Sequence, residues 1–182
     1  MTNKILNPIE FYNDKKLLTF NLVALLLGSI LCIFMKSWFP AMITMFFRNE
    51  INGYKTILEN ITSIVLLFII LFVAGKIINK KTRVIDCFNL AMFSRIPMYI
   101  LSTSNIVGTH NKTLATDELS TIDLIILNTT TIINLIVFIY LLVLFYKSFS
   151  TITNAKELKH YFVLVVFIVL GLIISPFILK TI

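Results

Sequence analysis

The chain has 182 residues, of which 58% are hydrophobic and 14% charged, and its formal net charge is +7. Soluble domains average roughly 45–50% apolar and about 25% charged residues, so this composition excludes an ordinary water-soluble protein. It also excludes a disordered chain, because disorder needs low hydrophobicity. Since about 20 apolar residues cross a bilayer, the sequence predicts an integral membrane protein with several spans.

A polar tail precedes the first apolar run. Residues 1–16 are mostly polar, whereas residues 17–35 are mostly apolar and include Asn21, Gly28 and Ser29. The run is longer than the core of a typical signal peptide, and no A-x-A-like cleavage site follows it. The sequence therefore predicts a cytoplasmic tail over 1–16 and a retained first span that opens a membrane domain over 17–182.

The segment that follows the first span, residues 36–60, mixes apolar and charged side chains. Trp38 lies where an aromatic residue of the membrane–water interface is expected. Phe39, Met42 and Phe46 recur at helical spacing, which is compatible with a short interfacial helix that contacts the membrane surface or a partner. The favoured alternative is a connecting segment packed on the bundle.

Four further apolar runs follow, and with the first they predict an all-α integral membrane bundle of five transmembrane helices. Each run is close to the ~20 residues that cross a bilayer. The third is the least apolar, because it contains Asp86, Asn89, Arg95 and Pro97. The predicted spans are 17–35, 61–78, 84–101, 122–145 and 161–179.

Lys and Arg are unevenly distributed between the predicted loops, and this imbalance sets orientation. Ten lie in the tail and in the loops after the second and fourth spans, against five on the other side. The sequence therefore predicts a cytoplasmic N-terminus and a C-terminus outside. Basic residues between apolar runs fit binding to anionic membrane lipids. Nucleic-acid binding needs a basic face, so no nucleic-acid partner is predicted.

Motifs of known enzymes and cofactor sites are missing from the sequence. Neither H-E-x-x-H nor G-x-S-x-G occurs, and the five glycines are scattered. His110 and His160 fall on opposite sides of the predicted membrane and cannot share a metal ion. Cys32 and Cys87 are too few for a disulfide framework and are interpreted as small buried hydrophobes. A non-enzymatic protein without a cofactor is predicted.

One costly group lies within a predicted span. Arg95 is expected ~16 Å deep, near the midplane, where an arginine costs roughly 2.5–3.5 kcal/mol and should find partners inside the protein. The fourth span carries Asn128, Thr131 and Asn134 on one helical stripe at about the same depth. We therefore expect Arg95 to donate hydrogen bonds to this stripe, with Asn89 on its own helix as a further candidate.

Two interpretations of this polar cluster remain open. It could form a polar pathway or a site for an anion or a lipid headgroup, or it could join two helices structurally. Pro97 and Pro176 each remove a backbone donor and are expected to kink the third and fifth spans. Kinks permit gating motions but also occur in static bundles.

Three segments resemble the Ypt-interacting protein (YIP) family of five-span membrane proteins. Asn7–Phe11 (NPIEF) is similar to a short N-P-x-x-x-F segment of prokaryote-type members. Met92–Pro97 (MFSRIP) resembles the family's G-Y-S-x-x-P segment, with Met92 and Phe93 in place of Gly and Tyr. Leu144–Ser150 (LFYKSFS), leading into Thr153-Asn154, resembles the cytoplasmic exit of the fourth span.

The resemblance implies a non-enzymatic role with a cytoplasmic N-terminus. Eukaryotic members bind prenylated Rab-type GTPases, but here the tail is short and D-L-x-G-P is absent, which argues against GTPase binding. The resemblance thus implies a prokaryote-type member in the inner or plasma membrane. We expect a scaffold or adaptor that contacts membrane lipids or other membrane proteins. The alternative is a small transporter or lipid-translocation unit that uses Arg95, Asn128 and Asn134.

Overall fold

The computed structural model describes residues 6–47, 50, 52–103, 121–155 and 157–181, with the backbone alone for 121–124, 126 and 127. The fold is all-α, and five helical segments in the described residues are long and apolar enough to cross a membrane, as predicted. The elements in chain order are α1 (Pro8–Phe11), α2 (Asp14–Phe34), β1 (Ser37–Trp38), β2 (Phe46–Phe47), α3 (Gly53–Ile78), α4 (Val84–Phe93), α5 (Arg95–Ser102), α6 (Thr121–Thr153) and α7 (Leu158–Lys180).

Helix α3 lies at the centre of the bundle. It packs against α2, α4, α6 and α7, while α4 and α5, which together form the third span, also pack against α2 and α6. We name the end of the bundle at which α2 begins the inner end, and the opposite end the outer end. Buried Leu67 and Leu71 of α3 and Leu141 and Leu144 of α6 belong to one core, because their spacing of three and four residues keeps them on one helix face.

Two span boundaries differ from the prediction. The second span begins at Gly53 rather than residue 61, because the side chain of Asn52 accepts hydrogen bonds from two backbone N–H groups and caps the helix. Helix α6, which forms the fourth span, continues to Thr153, so a short connection that begins at Asn154 joins it to α7. Buried Phe149 continues the helical spacing of the core and explains why the predicted loop at 146–160 is mostly helix.

The third span is interrupted at Ser94, between α4 and α5. Pro97 lacks an N–H and its ring clashes with the carbonyl four residues earlier, that of Phe93, which is where α4 ends. Pro176 behaves differently, since it lies inside α7 and the helix continues past it to Lys180. Of the predicted loop at 102–121, residues 104–120, with His110, lie outside the described residues.

The connection between α2 and α3 is a hairpin that folds back into the bundle. Strands β1 and β2 pair antiparallel, with Ser37 opposite Phe47 and Trp38 opposite Phe46. The turn between them reaches inward, and Phe39 and Met42 at this tip are completely buried. The interfacial helix considered for this segment is therefore wrong, and the alternative of a segment packed on the bundle is correct. Irregular backbone at membrane depth is tolerated where protein surrounds it.

The N-terminal tail is docked on the inner end of the bundle. Helix α1 packs against α2, α4 and α6. Asn7, which is buried, donates side-chain hydrogen bonds to Glu10 and to Thr151, each at 2.7 Å. The described part of the predicted tail, residues 6–16, is thus held against the membrane domain.

Candidate functional site

Arg95 is the central residue of the candidate site. It begins α5, lies about 10 Å from the outer end of that helix, and is 1% exposed. Its Nη2 donates a hydrogen bond to the backbone carbonyl of Met42 at the hairpin tip. Within the described ranges, Nε and Nη1 have no hydrogen-bond partner and no Asp or Glu forms an ion pair with this guanidinium.

An aromatic ring stabilises part of the charge of Arg95, for which the described residues provide no ion pair. The guanidinium carbon of Arg95 lies 4.9 Å from the ring centre of Phe39, within the range of a cation–π interaction. The Phe39 ring in turn meets the Tyr99 ring edge-on, with 6.4 Å between their centres. Two hairpin residues, Phe39 and Met42, therefore bind this one arginine.

The hairpin tip is also held by α7. The backbone N–H of Met42 donates to the hydroxyl of Ser175 at 3.0 Å. Gly171 lies one turn earlier on α7, and a Cβ there would come within 2.8 Å of the Met42 Cε. The peptide groups around Met42 thus bridge α5 and α7, and a glycine allows the close approach.

The space beside Arg95 is dry. It is enclosed by apolar side chains of the hairpin tip, α3, α5 and α6, including Ile43, Leu67 and Leu141, together with Ser94, and it leaves 0 Å³ for a water molecule. In apolar surroundings a hydrogen bond is stronger than in water, and a polar group without a partner costs more free energy. The geometry among the described residues around Arg95 suits a side chain that fixes the hairpin.

A second polar group joins the first three spans. The side-chain amide of Asn60 donates to the Ser29 hydroxyl at 2.8 Å and to the Tyr99 hydroxyl at 2.9 Å. All three residues are buried. Hydrogen bonds of this kind join transmembrane helices at about 1 kcal/mol each.

The predicted partners of Arg95 lie elsewhere. Asn128 and Thr131 are exposed, and the Oδ1 of Asn134 is buried without a hydrogen-bond partner in the described part of the chain. The predicted hydrogen bond from Arg95 to Asn134 is therefore wrong. The helix of the fourth span, α6, runs from Thr121 to Thr153 rather than from 122 to 145, and the stripe lies in the half of α6 nearer the outer end.

Asn89, the other expected partner, belongs to a separate contact nearer the inner end. The Asn21 side-chain amide donates to the Asn89 carbonyl at 3.2 Å and to its side-chain oxygen at 3.1 Å. Asn89 is six residues before Arg95, or about 9 Å along the helix axis. The two residues therefore stabilise different levels of the bundle.

Two cavities adjoin the dry site, and both are lined mainly by apolar side chains. The outer cavity, of 430 Å³, lies between the hairpin, α5, α6 and α7, and its lining includes Asn134, Thr44 and Met98. The inner cavity, of 330 Å³, lies between α6 and α7 and ends at Tyr146 and Tyr161. From the predicted stripe, Asn134 lines the outer cavity.

Sequence reasoning missed two parts of this site. Glu59 and Asn60 were assigned to a loop because they interrupt the apolar run, yet both are buried in α3. Their position seven to eight residues after the Asn52 cap was the available signal. The hairpin contact with Arg95 had no local signal, because it joins residues 53 positions apart.

Among the described residues, no three His, Cys, Asp or Glu side chains lie together as ligands for a metal ion. No family model, no curated protein and no solved structure matches the chain.

Proposed function

We propose that the chain is a non-enzymatic, YIP-like membrane scaffold or adaptor that acts through lateral contacts with other membrane proteins or lipids. The observation that carries this proposal is the use of the buried polar groups. Arg95 binds the chain's own Met42 carbonyl in a dry enclosure, and Asn60 binds Ser29 and Tyr99. Buried polar groups that bind other groups of the same chain favour a stable helical bundle over a transport path.

The outward faces of the helices supply the surface that an adaptor needs. Large apolar side chains point away from the bundle, among them Phe34 of α2, which is 77% exposed, and Phe177 of α7, which is 72% exposed. Membrane helices associate by packing such faces against one another. Membrane lipids cover any part of these faces that a protein partner leaves open.

The kinship with the YIP family is proposed from the three similar segments. Two of them lie together at the inner end, since Asn7 donates to Thr151, which directly follows the Leu144–Ser150 segment. The third contains Arg95 and the interruption at Ser94. The absence of the D-L-x-G-P motif still argues against a Rab-type GTPase as the partner.

The proposal places the N-terminus in the cytoplasm and the C-terminus outside, in the inner or plasma membrane of a prokaryote. Basic side chains at the inner end support this orientation, because Lys and Arg favour the cytoplasmic side. Arg83 at this end also pairs with Asp14 and Asp86, which joins the start of α2 to the start of α4.

Photo-crosslinking in native membranes tests the adaptor function. A crosslinking amino acid at Phe34 or Phe177 is expected to capture one or a few defined membrane proteins. The same group at Glu157, which lies outside the helices, is the control and should not capture them. If Phe34 and Phe177 yield only lipid and the chain itself, the adaptor function is wrong.

A small transport or lipid-translocation unit is the second candidate, and the outer cavity is the observation that favours it. The Asn134 Oδ1 has no hydrogen-bond partner among the described residues, and Asn134 lines this 430 Å³ space. Fluorescent-lipid translocation in vesicles would measure the activity. Loss of translocation in Asn134→Leu, with unchanged folding, would support this function, and an inactive wild-type protein would exclude it.

A further inference from the structure

The inner and outer cavities form one groove along α6 and α7. Both are lined by Ile43, Phe138 and Leu172, so they adjoin at these side chains. Along α6 the lining extends from Asn134 to Tyr146, a distance of about 18 Å. One leaflet of a bilayer has a hydrocarbon thickness of about 15 Å. The groove therefore matches the length of one leaflet.

The groove has the chemistry of a hydrocarbon site. In its inner part the side chains with polar atoms are Tyr146 and Tyr161, whose rings stack with 4.5 Å between their centres. These tyrosines lie near the inner end, where aromatic residues meet lipid headgroups.

The volume of the inner cavity favours a thin chain. From Phe138 to Tyr146 the cavity covers about 12 Å of helix and has a volume of 330 Å³. A helix of that length and about 10 Å across would occupy roughly 900 Å³. The surrounding medium at this depth is the bilayer, so the molecules that reach the groove are lipids.

We infer that the groove between α6 and α7 binds one acyl chain of a phospholipid from the leaflet at the inner end, with its headgroup at the level of Tyr146 and Tyr161. The lipid stabilises the bundle by filling a space between two helices that protein side chains leave open. This inference goes beyond the adaptor function, because it concerns a retained lipid and not a protein partner. Lipid retention and partner capture are separate measurements.

The test is to count phospholipids that remain bound after extraction. The full chain is reconstituted in bilayers of phosphatidylcholine and phosphatidylglycerol, extracted in mild detergent and analysed by native mass spectrometry. Leu172→Trp fills the groove, and Ile173→Trp, whose side chain is 57% exposed and does not line it, is the matched control. Val165→Trp is a second variant that fills the groove. The Val165 side chain is 56% exposed, so this position should tolerate a larger side chain.

We expect the wild-type chain and Ile173→Trp to retain one phospholipid, and the two filling variants to bind it about tenfold more weakly. If Leu172→Trp fails to fold, Val165→Trp decides. The inference is overturned if the wild type retains no phospholipid, if all variants lose it equally, or if the filling variants retain it. The inference is also overturned if the wild type is recovered as a dimer and Val165→Trp as a monomer, because a second copy of the chain would then occupy the groove.

Discussion

At the scale of single residues, Arg95 shows how one charged side chain is accommodated inside this membrane protein. Its burial without an ion pair among the described residues is expensive, since arginine at membrane depth costs roughly 2.5–3.5 kcal/mol. The Met42 carbonyl and the Phe39 ring offset part of that cost. These two contacts fix the hairpin tip, so Arg95 acts as a positioning residue.

Shortening Arg95 should therefore destabilise the bundle in proportion to what is removed. Arg95→Met fills most of the volume but leaves the Met42 carbonyl without its donor, and should lower the free energy of unfolding by about 1–3 kcal/mol. Arg95→Ala also leaves a void and should cost about 2 kcal/mol more. Unfolding in mixed micelles measures both. Equal stability of Arg95→Met, Arg95→Ala and the wild type would contradict this role.

Gly28 provides a second residue-scale prediction. A Cβ at Gly28 would overlap the ring of Tyr99, whose hydroxyl is held by Asn60 at 2.9 Å. Overpacking of this kind costs about 1–3 kcal/mol, so Gly28→Ala should lower the melting temperature. Gly53→Ala is the control, because its Cβ would lie at an ordinary 3.4 Å from Ile33. A Gly28→Ala protein as stable as Gly53→Ala would be inconsistent with this packing.

At the scale of elements, the hairpin between α2 and α3 is the part that departs most from a simple helical bundle. It pairs β1 with β2, turns inside the protein and contacts α5 through Arg95 and α7 through Ser175. A loop that only joined two spans would be expected at the surface. The hairpin therefore contributes to the core between helices that are distant in sequence.

Thiol labelling measures the depth of the hairpin. Glu50→Cys, at an exposed position near α3, should react with a polar maleimide in permeabilised membranes. Met42→Cys, at a side chain that is 0% exposed, should be protected until the protein is unfolded. Wild-type Cys32 and Cys87 are both buried and provide the unreactive background. Equal labelling at residues 42 and 50 would show that the hairpin lies at the surface.

At the scale of the whole molecule, the charges and the packing indicate one arrangement. The start of α2, the end of α3, the start of α4 and the end of α6 meet at the inner end through Asp14, Arg83, Asn79 and Thr153. The same end carries the stronger positive charge of the predicted loops. An asymmetric charge distribution of this kind sets membrane orientation.

Cysteine mapping in intact cells tests this orientation. Lys81→Cys at the inner end should be labelled by an impermeant maleimide only after permeabilisation, because we propose that the positively charged side faces the cytoplasm. Glu50→Cys and Thr181→Cys at the outer end should be labelled without it. The reverse pattern would mean that the N-terminus lies outside.

The amino-acid sequence by itself determined the class of protein, the number of spans and the burial of Arg95, because these follow from hydrophobic runs and from the cost of charge in a bilayer. It also indicated the interruption of the third span, since the effect of Pro97 is local. Boundaries at Gly53 and Thr153 were less predictable, because polar residues such as Asn60 and Ser148 can be buried in a helix once neighbours bind or enclose them.

Only the tertiary structure decided the partners of the polar side chains. Arg95 binds Met42 rather than Asn134, and Asn89 binds Asn21, because contacts between spans depend on how each helix is shifted and rotated in the bundle. Helix periodicity gives the faces of one helix but not its register against another. The cavities between α6 and α7 have the same origin, since Phe138 of α6, Leu172 of α7 and Ile43 of the hairpin line both of them.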